Sequence, residues 1–402
     1  MLRFEIKKIF SKTINKIVFA GLLAVTLLAA LLAIRDVKYI NENGETVSAF
    51  TAARKLQELK NRYKGPLSEE VLQEVIEQNK NMKENSANRD DALQKSQSFS
   101  DIRDMITLAF GEFGGYDYDI ADNISTEEVK NFYQRRITGL EEYLNSEKMK
   151  GAFTDEEKTY LINQYKQTET PLHYEYADGW KALLDSQYLP TLMMLVVVLI
   201  GFMVAGIFSD EFQYKADAIF FSAKLGRNKA IVSKIGAGFI VTTGMYWVSM
   251  FIYSAIILIT LGFGGADCQI QTGFSNWSSI YNLTYWQDYI FTMVGGYIGM
   301  LFILTLAMFI SAKCRSTVLA ITVPFVLSCV PMFLGRVAIF SKVAAFTPDQ
   351  LLRINTSLED FTLVRIGENI FGYLTVIVPI YFVLSFVMFP AIYWIYKKAE
   401  VK

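Results

Sequence analysis

Hydrophobic residues are concentrated in six stretches of the chain that contain no Asp, Glu, Lys or Arg. Because a helix needs about 20 mostly apolar residues to cross a bilayer, each stretch predicts one transmembrane helix. Glycines at 262, 264 and 265 predict a loop after the third helix. The predicted transmembrane helices cover residues 17–34, 187–209, 235–262, 289–312, 316–335 and 369–396.

The segments between these helices complete the predicted domain organisation. We expect an amphipathic interfacial helix at 1–16, a helical domain at 35–186, a loop at 210–234, further loops at 263–288 and 336–368, and a tail at 397–402. Two capping boxes, Ser125 with Glu128 and Thr154 with Glu157, each precede an apolar-periodic run in the domain. The predicted fold class is therefore an all-α membrane protein with one inserted helical domain.

Charge divides the chain in the same way and predicts its orientation. Residues 35–186 hold 20 Lys/Arg and 29 Asp/Glu, whereas the rest of the chain holds 19 and 11. Short segments on one side of the predicted membrane carry 15 basic residues: Arg3, Lys7, Lys8, Lys12, Lys16, Lys215, Lys224, Arg227, Lys229, Lys234, Lys313, Arg315, Lys397, Lys398 and Lys402. Short segments on the other side carry four: Arg336, Lys342, Arg353 and Arg365. The positive-inside rule then predicts both termini in the cytoplasm and residues 35–186 outside it.

The sequence lacks the motifs that would indicate nucleotide binding, metal binding or catalysis in this chain. It contains no G-x-x-x-x-G-K-[ST] phosphate loop, one histidine (His173) and three dispersed cysteines. We therefore expect no enzyme activity, no metal or cofactor in this chain, and no nucleic-acid partner. The predicted membrane helices lack Asp, Glu, Lys and Arg, which argues against a proton- or sodium-coupled transporter.

The segment from Ser209 to Lys234 combines several short features. Asp210 and Glu211 follow the second predicted helix, and Gly226-Arg227 forms a turn before the third. An apolar stretch between them contains Phe220 and Phe221. This segment resembles the first cytoplasmic loop of type-2 ATP-binding-cassette (ABC) exporter permeases.

The resemblance implies a function and a set of partners. Such a permease moves an amphiphilic substrate, such as a peptide, an antibiotic or a lipid-like molecule, across the bacterial cell membrane. It works with a second permease subunit and with a separate ATPase subunit that binds ATP and Mg. The residues implied to contact the ATPase are Asp210, Glu211, Phe220, Phe221, Gly226, Arg227 and Lys234.

Several alternatives stay open from the sequence. A membrane receptor or sensor, or a mechanotransmitting scaffold, would act through residues 35–186 without transport. Gly295 and Gly299 form a G-x-x-x-G pattern, which either allows close helix packing or occurs by chance. Trp180 belongs either to the domain core or to the membrane interface.

Overall fold

The computed structural model describes residues 1–223, 225–334 and 343–399. The basic residues Lys224, Arg336, Lys342 and Lys402 of the charge argument lie outside the described residues. The α-helices in chain order are α1 (Leu2–Ser11), α2 (Thr13–Asp36), α3 (Ala49–Lys60), α4 (Glu69–Asn85), α5 (Arg89–Ser96), α6 (Ser100–Phe110), α7 (Ile120–Asn123), α8 (Phe132–Leu144), α9 (Asp155–Lys166), α10 (Asp178–Leu183), α11 (Tyr188–Gln213), α12 (Asp217–Ser222), α13 (Ile231–Leu261), α14 (Tyr285–Cys314), α15 (Thr317–Leu334), α16 (Ile354–Ser357) and α17 (Tyr373–Lys397).

Strands are short and form three separate antiparallel pairs within the described part of the chain. They are β1 (Lys38–Ile40) with β2 (Thr46–Ser48), β3 (Gly65–Pro66) with β4 (His173–Tyr174), and β5 (Leu363–Ile366) with β6 (Asn369–Gly372). Short 3₁₀ helices occur at Asn61–Tyr63, Glu128–Asn131, Glu147–Met149, Ile270–Thr272 and Pro348–Leu352. A π turn at Gly226–Ala230 leads into α13. The prediction of a mostly helical chain is confirmed.

Five helical stretches among the described residues are long and apolar enough to cross a membrane. They are α2, α10 with α11, the π turn with α13, α14, and α17. Helix α15 is apolar but shorter. The chain is therefore consistent with a multi-pass membrane protein.

The long helices form one bundle in which α14 packs against α11, α13, α15 and α17, while α2 packs against α11 and α13. Residues 37–187 stand at one end of this bundle, which we call the domain end. The other end, which we call the terminal end, carries α1, α12 and the last turn of α17. Buried apolar side chains of α2, α11, α13, α14 and α17 share one continuous core.

Several helix bounds differ from the predicted segments: α2 begins at Thr13, inside the predicted interfacial helix, and α14 begins at Tyr285, inside the predicted loop. Helix α11 continues to Gln213, so Asp210 and Glu211 lie in its last turn and not in the following loop. Residues 369–372, predicted as the start of the last membrane helix, form β6. A positive φ of 64° at Gly367 permits the tight turn between β5 and β6, and an uncharged run alone cannot distinguish such a strand from a helix.

The domain contains more of the chain than residues 35–186. Trp277 packs in a core with Phe132, and Ile280 packs in a second core with Tyr165. Leu363, from β5, lies against that second core. The segments before α14 and before α17, which were predicted as loops, are thus structural parts of the domain.

A buried ionic cluster lies where the domain meets α10. The ammonium of Lys60 contacts both Asp101 and Asp178 at 2.9–3.0 Å, and Lys181 contacts Asp101 at 2.7 Å. Burial would raise the pKa of Asp101, but the ammonium groups of Lys181 and Lys60 hold that pKa well below its usual range. These pairs join α3 and α6 to α10.

The backbones of α10 and the end of α13 approach very closely at this junction. A Cβ atom on Gly179 would lie 2.2 Å from the carbonyl oxygen of Gly262. Trp180 is buried beside them, and its indole N–H donates to the carbonyl of Phe263 at 3.1 Å. Trp180 therefore belongs to the packed junction between domain and bundle.

The G-x-x-x-G pattern of α14 accommodates the segment that precedes α17. A Cβ atom on Gly295 would lie 2.0 Å from Cδ1 of Ile354, and one on Gly299 would lie 2.9 Å from Cβ of Leu351. The pattern therefore serves packing, but against a 3₁₀ helix and α16, not against another long helix.

Replacement of glycine by alanine has opposite predicted effects at two positions. Gly179→Ala will destabilise the protein, by about 1–3 kcal/mol for an overpacked site, because the methyl group meets backbone. Gly139→Ala, inside α8 where nothing lies within 4 Å of the new Cβ, will stabilise it by about 0.5–1 kcal/mol. Thermal unfolding in detergent micelles measures both, and equal midpoints would contradict the close approach.

Candidate functional site

Lys234 lies in the first turn of α13 and its side chain is 0% exposed. Its ammonium donates to the carboxylate of Glu211 at 2.7 Å and to that of Glu5 at 3.2 Å. A third hydrogen bond goes to the carbonyl oxygen of Ile207 at 3.0 Å. All three donors of the ammonium group are therefore used, as a buried charge requires.

Helix α1 supplies further partners to this site. Lys8 donates to Glu211 at 2.7 Å, and Lys12, just after α1, donates to Asp210 at 2.5 Å. Burial would lower the pKa of Lys8, but its hydrogen bond and charge interaction with Glu211 outweigh burial and raise that pKa. Three lysines thus balance three carboxylates across α1, α11 and α13.

A glycine leaves space for these ion pairs, and a buried asparagine links the helices around them. A Cβ atom on Gly206 would lie 2.5 Å from Oδ1 of Asp210, so glycine leaves space for the Asp210–Lys12 pair. The buried amide of Asn15 donates to the carbonyls of Ile9 and Met203, at 2.8 and 3.2 Å. Asn15 therefore ties the break between α1 and α2 to α11.

An aromatic cluster lies beside the ion pairs. It consists of Phe208, Phe212, Phe220, Phe221 and Tyr396, with neighbouring ring centroids 4.7–5.9 Å apart. The hydroxyl of Tyr396 donates to the carbonyl of Phe208 at 3.2 Å. Such edge-to-face contacts add to the energy of burial and attach the last turn of α17 to α11 and α12.

Arg227 connects the π turn to the end of α17. Its guanidinium donates to the carbonyls of Lys397 and Ala399, at 2.7 and 3.2 Å. It also lies over the ring of Phe221, 4.7 Å from the centroid. A cation at the last carbonyls of a helix interacts favourably with the helix dipole, so Arg227 stabilises this helix end.

The chain turns sharply after α12, and the backbone at this turn lies very close to the end of that helix. A Cβ atom on Gly226 would lie 1.8 Å from the carbonyl oxygen of Phe220, so only glycine fits without movement of the backbone. Phe221 points inward and is buried, whereas Ile219 is 76% exposed. Exposed apolar or aromatic residues around Ile219 are Tyr214, Ala218, Ala223 and Leu225. We call this set of five residues the α12 face.

The structure brings all seven sequence-predicted site residues into one region. Asp210, Phe221, Gly226 and Lys234 are buried, and Glu211, Phe220 and Arg227 are partly buried. Their side chains support α12 from within, and the exposed α12 face lies outside them. Whether the seven contact an ATPase stays a prediction.

Sequence reasoning missed Glu5 and the pairing role of Lys8 and Lys12. Glu5 is the sole acidic residue among the first 16, which was an available signal. The pairing partners Lys8 and Glu211 are 203 positions apart, a separation that no local pattern encodes.

The site is a set of ion pairs and ring contacts that join several helices. Among the described residues, no group of three or more His, Cys, Asp and Glu side chains could hold a metal ion. The charged groups of the site pair with one another. Comparisons with family models, with curated proteins and with solved structures find no match to this chain.

Lys234→Met will destabilise the protein, by about 3–5 kcal/mol for a broken buried ion pair, because it leaves the three carboxylates of Glu5, Asp210 and Glu211 with only Lys8 and Lys12 to balance them. The matched variant Lys229→Met removes an exposed lysine of the same segment and will change stability by less than about 0.5 kcal/mol. Thermal unfolding in detergent micelles measures both. Similar midpoints for the two variants would refute the central role of Lys234.

Proposed function

We propose that this chain is the membrane-spanning permease subunit of an ABC exporter, driven by ATP hydrolysed in a separate subunit. The main support for this proposal is the α12 face. It consists of exposed apolar and aromatic residues on and beside a short helix, whose buried Phe221 packs on α11 and α17. Exposed apolar patches mark interaction sites, so this surface can bind a partner protein. Because its buried side is held by long helices, a force applied by that partner is passed on to them.

The contacts behind the α12 face support transmission of force. Phe221 packs on Phe212 of α11 and on Tyr396 of α17. The π turn leads directly into α13, where Lys234 is bound to α11 and α1. A displacement of α12 therefore acts on four helices together, and partner binding can shift the bundle between inward-open and outward-open states.

The proposed topology has six membrane helices. Helix α15, with 18 residues, would be the sixth beside the five longer stretches. The terminal end carries Lys8, Lys12, Arg227 and Lys234, so the positive-inside rule favours placing it in the cytoplasm of a bacterial cell and the domain outside. In this arrangement the α12 face meets a cytoplasmic ATPase.

Two further parts of the proposal concern partners and substrate. A second permease subunit, identical or different, completes the transporter within the lipid bilayer. The substrate is amphiphilic, such as a peptide, an antibiotic or a lipid-like molecule. ATP and Mg belong to the ATPase subunit, and this chain serves as the transport path.

Ile219→Asp tests the proposal directly. The chain is expressed in its native host, and its complex with an ATP-binding-cassette subunit is purified in detergent and assayed for ATP hydrolysis. Because Ile219 is 76% exposed, the variant will fold normally. It will lose the ATPase subunit from the complex, with at least a tenfold drop in ATP hydrolysis recovered per permease.

Ile366→Asp provides the control, since Ile366 is an equally apolar residue, 54% exposed, at the domain end. It will keep both the ATPase subunit and the hydrolysis rate. If wild-type protein purifies without any ATP-binding-cassette subunit, or if both variants retain it equally, the exporter proposal fails. Signalling through the domain by a receptor would then be the better explanation.

A further inference from the structure

Helix α1 lies at the terminal end, close to the residues at which the uncharged runs of α2 and α13 begin. Those runs start at positions 17 and 235. At one end of α1, Cδ1 of Leu2 lies 3.4 Å from a Cβ atom built on Gly236. At the other end, a single extended residue, Lys12, separates α1 from α2. Both ends of α1 are therefore near the first residues of a stretch that is long and apolar enough to cross a membrane.

The inner side of α1 is engaged by the bundle. Ile9 is buried there, and Glu5 and Lys8 belong to the ion pairs around Lys234. Those pairs comprise three lysines and three carboxylates, so they are neutral as a group. The inner side of α1 therefore has no net charge left for a partner outside the protein.

The outer side of α1 carries positive charge that the described part of the protein does not balance. Arg3 and Lys7 are exposed, and among the described residues neither side chain has a hydrogen bond or an ion pair. Residues four positions apart on a helix are neighbours on its surface, so the two cations stand together on one face. This face therefore offers two free cationic groups to an anionic partner.

An exposed aromatic ring accompanies these cations. Phe4, next to Arg3 in the chain, is 77% exposed. Ile14 and Ile17 are 50% and 62% exposed, so exposed apolar surface continues onto the first turns of α2. Aromatic rings and basic side chains occur together at the boundary between lipid headgroups and acyl chains, where the ring is in apolar surroundings and the charge is in polar ones.

We propose that the outer face of α1, formed by Arg3, Phe4 and Lys7, binds the headgroups of anionic phospholipids in the bilayer. The acidic groups of these lipids supply the counter-charge that the protein lacks at this face. Each basic side chain close to an anionic membrane surface strengthens binding about fivefold. A neutral phospholipid provides the same apolar layer for Phe4 but no net negative charge for the two cations.

The lipid contact acts on the helix that holds the ion pairs of the terminal end. Glu5 and Lys8 reach Lys234 and Glu211 from the inner side of α1, while lipid holds its outer side. A ligand that binds only the folded state raises its stability, so anionic lipid stabilises this end of the bundle. The lipid site depends on a bilayer around the chain and not on an ATPase partner.

Photo-crosslinking identifies the lipid on this face. The photoreactive amino acid p-benzoylphenylalanine is placed at position 4 of the full chain, which is reconstituted in nanodiscs of equal parts phosphatidylglycerol and phosphatidylcholine with identical acyl chains. After illumination, mass spectrometry of the chain gives the ratio of the two lipid adducts. Phosphatidylglycerol adducts will exceed phosphatidylcholine adducts at least about fivefold. The combined change Arg3→Gln and Lys7→Gln will lower that ratio to about one, whereas Arg3→Lys with Lys7→Arg will preserve it.

Arg35→Gln combined with Arg54→Gln is the matched control, since both are exposed arginines at the domain end of the bundle. It removes the same total charge and will leave the adduct ratio unchanged. Thermal unfolding establishes that each variant is folded. It also supplies a second readout, because wild-type protein will unfold at a higher temperature in phosphatidylglycerol than in phosphatidylcholine nanodiscs, and the change at positions 3 and 7 will remove that difference.

Three results would each overturn the lipid site: no lipid adduct at position 4, equal adducts of the two lipids, or an unchanged ratio after Arg3→Gln and Lys7→Gln. If added inorganic phosphate abolishes the excess of phosphatidylglycerol adducts, the face binds free phosphate and the lipid proposal also fails. No ATPase is present in these nanodiscs, so such a failure leaves the exporter proposal standing. Conversely, loss of the exporter proposal in the Ile219→Asp experiment leaves the lipid site standing.

Discussion

A buried ammonium group organises one end of this protein. An ion taken out of water costs several kcal/mol, and the cost is offset only by close counter-charges and complete hydrogen bonding. Lys234 meets that condition only while Glu5 of α1, Glu211 of α11 and the carbonyl of Ile207 stay in place. This one side chain therefore links α1, α11 and α13 at the terminal end.

A comparable cluster stands at the opposite end. There the domain is joined to α10 by ion pairs among Lys60, Asp101, Asp178 and Lys181. Between the two clusters the long helices contact each other mainly through apolar side chains. Packing of this kind is not directional, so helices can shift against one another in the middle while both ends keep their internal geometry. Under the proposed function, a load applied at α12 would shift the helices within this middle region.

The sequence predicted the parts of this structure that have a local cause. Uncharged runs located the long helices, and Gly262 ends α13 as the glycines there indicated. The reciprocal bonds of Thr154 with Glu157 were also foreseen. Contacts between residues far apart in the chain were not predicted. Nothing in the sequence around Lys8 indicates that it pairs with Glu211, and nothing around Trp277 indicates that it packs on Phe132. The seven residues of the predicted site were chosen through a resemblance, and the exposed α12 face became visible only in the three-dimensional structure.

The composition of the domain cores has a consequence for biosynthesis. Trp277, Ile280 and Leu363 reach the domain from segments that follow α13 and α14. A ribosome releases residues 35–186 before these three, so the places that Trp277, Ile280 and Leu363 fill in the two cores are still open when the domain first emerges. The domain cores are therefore complete only when the segments before α14 and before α17 have been synthesised, and a chain that stops before Leu363 leaves part of these cores uncovered.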